Sequence, residues 1–435
     1  MLRSVVTVFL GALILSACAE REILIIGEDS ANIAALESIA KSYPGDFKVK
    51  FEAQDFDTLL EKSNQDLALG TGQYDVIMQY NFTLSSYVEN NLVWKSSDLK
   101  SKYPSIDTTF EVGLFETAWK EVGYYYSDPS DENSAPSAFG YPFATNTLLL
   151  AVNQDLFDDE KNKNEFRKIS NRDLTVPKTW GEYLEVAKFF SEKTDTSGVV
   201  MQGASGGWLY YEWAAIMSSQ GLAVFQEKSS GWERGTKYTS SVNSAEMLEA
   251  TRNYLKLRDY NAGGFENVDA SSQIEILNRG EAAMAIVWSD FAPALFDNQD
   301  IKFSMNPLPG DYSPLAGGTF YINKKTKYPK EAFEFIAWIM QPEQQKQLLR
   351  NNLGSPSVNA YTPQIIADSK FAGAMKESIE RGRYAFEANK DSELVNTEIT
   401  KALQSAWRSP DELDTFLLEA NKEINLKRAS LLTAK

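Results

Sequence analysis

Apolar positions along the chain alternate between short continuous runs and helical spacing. Glu22 to Ile26 is an apolar run closed by Gly27, and Ile33, Leu36, Ala40 and Tyr43 then recur at helical intervals until Pro44 stops the pattern. Phe47 to Phe51 predicts a second strand. Asp55 can cap a helix with Phe56, Leu59, Leu60 and Leu67 on one face, and Tyr74 to Met78 predicts a third strand. Strand, helix, strand, helix, strand implies right-handed crossovers in a parallel sheet. Ligands of such sheets collect at the carboxyl ends of the strands, here Gly27 and Glu28, and Gln79, Tyr80 and Asn81.

The stretch 139–157, FGYPFATNTLLLAVNQDLF, combines a turn, a fully apolar run and a polar stop. Pro142 fixes its own φ and biases Tyr141 away from helix, while Leu148 to Val152 has the pattern of a parallel-sheet strand buried on both faces. Further on, Thr179 with Glu182 forms a capping box. Gly198 to Gln202 predicts a strand, and Trp208 to Ser219 a helix whose start is crowded with Trp208, Tyr210, Tyr211 and Trp213. Asn243 with Glu246 is a second capping signature, and Gly280 is placed to end a helix. Glu281 to Trp288 and Gly317 to Ile322 predict strands. Pro329 suits the first position of a helix bearing Phe333, Ile336, Ala337 and Met340, and the tail divides into two helices at Ser409 and Pro410. The aromatic-rich connection 92–140 yields no role.

Four segments in this order, GYPFATNTLLLAVNQDLF, VPKTWGEYLEVAKFF, LNRGEAAMAIVW and LAGGTFYINKKTKYPKEAFEFIAWIMQPEQQKQLL, resemble the extracellular solute-binding proteins of ABC importers, family 1, the sugar-binding type that includes maltose-binding protein. The similarity spans roughly residues 20 to 358. It implies an α/β, two-lobed periplasmic-binding-protein fold of type II, each lobe a mainly parallel sheet flanked by helices, joined by three hinge crossings. The expected crossings are Ala144 and Thr145, Val287 to Asp290, and Met340 and Gln341. Lobe 1 is then residues 18–144 and 290–340, and lobe 2 residues 145–289 and 341–435.

Composition adds targeting and removes several chemistries. Arg3, the apolar run Val5 to Leu15 and the small pair Ser16 and Ala17 read as an export signal over residues 1–17, too short to span a bilayer. Leu15, Ser16, Ala17 and Cys18 match the lipoprotein pattern, in which the cysteine is acylated. Cys18 is the single cysteine, so no intramolecular disulfide competes for it. The expected location is extracytoplasmic, in the periplasm or on the outer face of the cytoplasmic membrane. A net charge of −17 argues against a nucleic-acid partner. The absence of histidine removes Ser-His-Asp triads and histidine metal sites. Gly203, Ala204, Ser205, Gly206 and Gly207 spell GxSxG, which reads without a histidine base as a flexible loop open to ligand. Gly70, Thr71 and Gly72 lack a third glycine for a dinucleotide, and no phosphate loop exists, so neither a cofactor nor a catalytic set is expected.

A sugar site needs aromatic faces for ring CH groups and planar polar groups for hydroxyls. On the segments that carry the resemblance, the candidate aromatics are Tyr80, Phe143, Tyr210, Trp213 and Trp288. The candidate polar partners are Glu28, Asn81, Glu212 and Asp290, with Gly317 and Gly318 giving backbone access. The chain departs from the family where Thr319 and Phe320 follow the paired glycines in place of tryptophan, and where VWSDFAP replaces the usual NGPW loop. The expectation is a lipid-anchored receptor that passes a sugar to an ABC permease. A receptor for another small solute, such as a polyamine or peptide, and a secreted glycoside hydrolase using paired carboxylates remain as alternatives.

Overall fold

The computed structural model describes residues 21–205, 207–234 and 238–433; the export signal and Cys18 lie outside them. Nine strands form two main sheets: β1 (Glu22–Glu28), β2 (Lys48–Gln54), β3 (Val76–Tyr80), β4 (Tyr141–Asn146), β5 (Leu148–Asn153), β6 (Ser197–Val200), β7 (Ala282–Trp288), β8 (Phe303–Asn306) and β9 (Ala316–Ile322). The first sheet runs β2-β1-β3-β9-β4, and the second β8-β5-β7-β6.

The sequence signals act locally as expected. The Asp55 side chain accepts the Thr58 N–H at 3.0 Å, and Gly70 ends that helix with φ +64°. Thr179 and Glu182 form the capping box, Gly280 takes φ +74°, and Pro329 opens its helix. At the helix Ala245–Leu255 the cap is Ser244, one residue after the expected Asn243, because its hydroxyl reaches the Met247 N–H.

Strand direction is mixed. β1 is parallel to β2 and β3, but β9 is antiparallel to both β3 and β4. In the second sheet only β6 and β7 are parallel, while β5 is antiparallel to both β7 and β8. The fully apolar β5 is therefore buried on both faces without being a parallel strand. Leu148, Leu150 and Val152 pack on one face with Trp213 and Phe190, and Leu149 and Ala151 on the other with Val287 and Leu295.

The chain changes sheet at Thr147, between β4 and β5. The return expected at Val287 to Asp290 comes later. The short helix Ala292–Phe296 buries Ala292 and Leu295 on the second sheet's core and turns the chain back, so that β8 adds an edge strand to the same sheet. The first sheet is rejoined at Ala316, where β9 starts. Pro329–Ile339 then packs on the first sheet through Phe333, Ile336 and Ile339. The tail helices Ser392–Arg408 and Leu413–Thr433 bury Ile399, Leu403, Leu413 and Leu417 in the core under β5.

The connection 92–140, which the sequence leaves without a role, holds the helix Glu116–Gly123 and a strand pair, Tyr124–Tyr126 with Pro136–Ala138. Trp119 donates its indole N–H to the Gly140 carbonyl at 2.9 Å and stacks on Tyr141, fixing this helix against β4. Glu121 and the tyrosines are thereby held against segment 230–234.

Candidate functional site

β1 and β3 lie side by side in the first sheet, so their carboxyl ends deliver Glu28 and Tyr80 to one place, where the Tyr80 hydroxyl donates to the Glu28 carboxylate. Asp290 arrives from the second sheet. Leu148 pairs with Trp288, the Ser289 N–H donates to the Thr147 carbonyl at 2.9 Å, and the Asn146 side-chain N–H₂ donates to Asp290 Oδ2 at 3.2 Å. Residues 146–148 and 288–290 thus zip together beside the change of sheet, and Asp290 stands within electrostatic reach of Glu28 and Tyr80.

Burial sets the electrostatics here. It pushes the Asp290 carboxyl up to about 6, opposed by the N–H of its own backbone and by Asn146 and reinforced by the Glu28 charge. Burial also raises Glu28, against the Tyr80 hydrogen bond and with Asp29 adding to the rise. Tyr80 is held well above its ordinary value by burial and by the Glu28 and Asp290 charges.

Several polar atoms here are left over. Asp290 Oδ1, Trp288 Nε1, Asn81 Nδ2 and both amide atoms of Asn32 are buried without a partner among the described residues. Buried polar groups are nearly always hydrogen-bonded, so a concentration of unsatisfied ones is what a ligand site leaves when its ligand is not counted. Trp288 forms an aromatic corner with Tyr211 and Phe386, with ring centroids 5.6 and 5.9 Å away.

The remaining predicted residues lie elsewhere. Glu212 is enclosed in the second lobe-like core. Its oxygens accept the Gln202 N–H at 2.9 Å and the Tyr254 hydroxyl at 3.1 Å, and burial pushes its carboxyl up to about 8. Trp213 donates to Thr251 at 3.0 Å within the same core. Both were expected on the ligand. The helix Trp208–Ser219 instead turns these two residues inward and presents Tyr211 to Trp288. Tyr210 is also buried in that core, and burial and the Glu387 charge hold its hydroxyl well above its ordinary value.

Phe143 stands behind Tyr80, with ring centroids 6.3 Å apart, and fills the space where Gly318 lacks a side chain. Gly317 takes φ +154°, and a Cβ there would meet the Ala144 carbonyl at 2.7 Å. The paired glycines therefore serve the packing of β9 on β4. Gly203 has the same explanation, because a Cβ would meet the Phe265 carbonyl at 2.3 Å. The loop it opens packs against Phe265 and the tail helix, with Gln404 3.5 Å from Ser205, and at its far end a Cβ on Gly207 would meet the Tyr211 ring at 2.7 Å. Gly206 lies outside the described residues.

Sequence reasoning missed Asn32, Asn146, Tyr211 and Phe386. The helical period could have separated Tyr211 from Trp213, whereas nothing in the tail marks Phe386. Among the described residues no group of three or more acidic, cysteine or histidine side chains could hold a metal, and no helix is long and apolar enough to cross a membrane.

Two α/β sheets joined by several crossings, with polar groups from both converging at strand ends, define a two-lobed binding protein. The sequence profile of the bacterial extracellular solute-binding proteins matches residues 34–373, and the chain belongs to that family. No curated protein matches the sequence. Among solved structures, the chain is similar to an ABC transporter solute-binding protein from Agrobacterium radiobacter K84 in complex with ribitol. The TM-score is 0.73 at 19% identity, over 93% of this chain and 98% of that one. It is also similar to maltose-bound MalE3 of T. maritima, with a TM-score of 0.70 at 17% identity over 94% and 99% of the two chains. A third is the substrate-binding protein Lmo0181 of Listeria monocytogenes in complex with cycloalternan, with a TM-score of 0.69 at 18% identity over 94% and 99%. The family and these neighbours are binding proteins, and the fold is theirs.

Proposed function

We propose that this protein is a receptor that closes on a polyhydroxylated solute of the sugar class and hands it to an ABC permease, without chemistry on the solute. The observation that carries this reading is the convergence of Glu28 and Tyr80 from the first sheet with Asp290 from the second, beside buried polar atoms left without partners. The ribitol, maltose and cycloalternan complexes of proteins with this fold support the sugar class.

In this reading the two sheets are the cores of two lobes. The hinge runs through Thr147, the segment 307–315 and the residues after Met340. A solute that touches both lobes makes its full set of contacts only on closure, so binding shifts the population toward the closed form. Cys18 would carry a lipid anchor on the outer side of a membrane; loss of membrane retention in Cys18→Ala checks that part.

A thermal-shift screen over mono- and oligosaccharides tests the function. A receptor melts higher at saturating sugar and returns it unaltered. A panel sugar that is hydrolysed, or polyamines and peptides that shift melting while sugars do not, would overturn the proposal.

A further inference from the structure

The two carboxylates of the site come from opposite sheets, and no lysine or arginine among the described residues acts on either. Glu28 ends β1 and Asp290 follows β7, so any approach of the sheets presses like charges together where water is scarce. Tyr80 does not relieve this, since its hydroxyl donates one hydrogen bond to Glu28 and brings no charge. Asn146 likewise gives Asp290 one neutral hydrogen bond and leaves Oδ1 unpaired.

A second observation points to a ligand. Asn32 lies at the start of the helix that leaves the carboxyl end of β1 and packs against residues 289–291. It is 1% exposed, and neither its amide N–H₂ nor its carbonyl has a partner. Asn81, next to Tyr80, is 8% exposed with its N–H₂ also unpaired. Beside the carboxylates stand Tyr80, whose hydroxyl meets Glu28, and Trp288, two residues before Asp290, with Tyr211 and Phe386 packed on it; aromatic rings attract cations.

We propose that the solute carries a protonated amine, as an amino sugar or other polyhydroxylated amine does, and that its ammonium group sits between Glu28 and Asp290. This rests on the receptor reading above and names the class of solute within it. Hydroxyl groups of a neutral sugar satisfy acceptors but leave two partly buried anions uncompensated; an ammonium donates to both and offsets their charge. The amides of Asn32 and Asn81 remain for the hydroxyls. The raised values of both carboxyls agree, since without a cation each is driven toward its neutral form.

The test is calorimetric titration of the full chain at neutral pH with matched probes: glucosamine, glucose and N-acetylglucosamine, the corresponding galactose set, and chitosan tetramer against cellotetraose. In at least one set the amine should bind about tenfold or more tighter than its neutral and N-acetylated partners. Glu28→Gln and Asp290→Asn should each bring that ratio close to one. A neutral probe binding as tightly as its amine overturns the amine and leaves the sugar receptor standing, whereas binding by no probe overturns both. A preference that survives both substitutions places the ammonium elsewhere and also overturns the proposal. N-acetylation removes the charge on wild-type protein, so the result does not depend on either variant folding.

Discussion

Glu212 with Trp213, and Trp288 with Asp290, are the same kind of pair: a carboxylate and an indole one or two residues apart on a strand end or helix start. Their surroundings differ. Every polar atom of the first pair is answered, Glu212 by Gln202 and Tyr254 and Trp213 by Thr251. In the second, the indole N–H and one carboxylate oxygen are buried with no partner, and the remaining oxygen meets the Asn146 side chain. A closed polar network specifies a core, and an open one at a junction of two sheets is an invitation to a ligand. What separates site from core here is satisfaction and not composition.

The largest effect expected from this contrast is on stability. Trp213→Ala removes a fully buried ring and the donor to the Thr251 hydroxyl, and should lower unfolding free energy by about 3–5 kcal/mol in urea denaturation. Solute affinity, extrapolated to the folded fraction, should stay near wild type. A small stability loss with a large affinity loss would move Trp213 into the site and collapse the distinction.

Trp288→Ala should give the opposite result. The ring is partly exposed and shares a corner with Tyr211 and Phe386, so much of its contact surface is available to a bound solute. Affinity for whichever probe binds wild type should fall roughly 10- to 100-fold, about 1.4–2.8 kcal/mol by calorimetry. Unfolding free energy should fall by less than for Trp213→Ala. Comparable stability losses in the two variants would make both tryptophans core residues.

The sequence showed more of the frame than of the site. Strands, caps and helix breaks at Asp55, Thr179, Gly280, Pro329 and Pro410 are local decisions of backbone and nearest neighbours, so they are legible residue by residue. Strand direction is not local. β5 looks like a parallel strand because only its burial is written in its residues, whereas its pairing depends on where β7 and β8 arrive. Glu28, Tyr80 and Asp290 could be anticipated because strand ends collect in α/β sheets. Asn146 meets Asp290 across 144 residues, and Phe386 joins Trp288 from the tail, so no pattern along the chain marks them.

Glu121 is an intermediate case, and it carries the smallest expected effect. Its carboxylate is buried like that of Glu212 and fully answered, by the Ser230 hydroxyl at 3.0 Å and the Gly231 N–H at 3.0 Å, but the partners lie 109 and 110 residues further along the chain. The helix Glu116–Gly123 that holds it is fixed to β4 through Trp119, and Lys228 and Glu387 form a buried ion pair at 2.5 Å. Burial pushes the Glu121 carboxyl up to about 7; Ser230, Gly231 and the Lys228 charge oppose this, and the Glu387 charge adds to it. A carboxyl whose value is higher in the folded protein than in the unfolded chain stabilises the fold most fully below the ordinary value near 4.5. That contribution is lost as pH rises through about 7. Glu121→Gln is neutral at every pH and keeps the acceptor for Ser230 or Gly231. Relative to wild type it should therefore gain about 1 kcal/mol of unfolding free energy between pH 6 and pH 8, read from urea denaturation at both values. Taking the difference between the two proteins cancels the titrations of Glu28, Asp290 and Glu212, which both share, and leaves that of Glu121 with its coupling to Glu387. A difference that does not change with pH would mean that Glu121 does not titrate between pH 6 and pH 8.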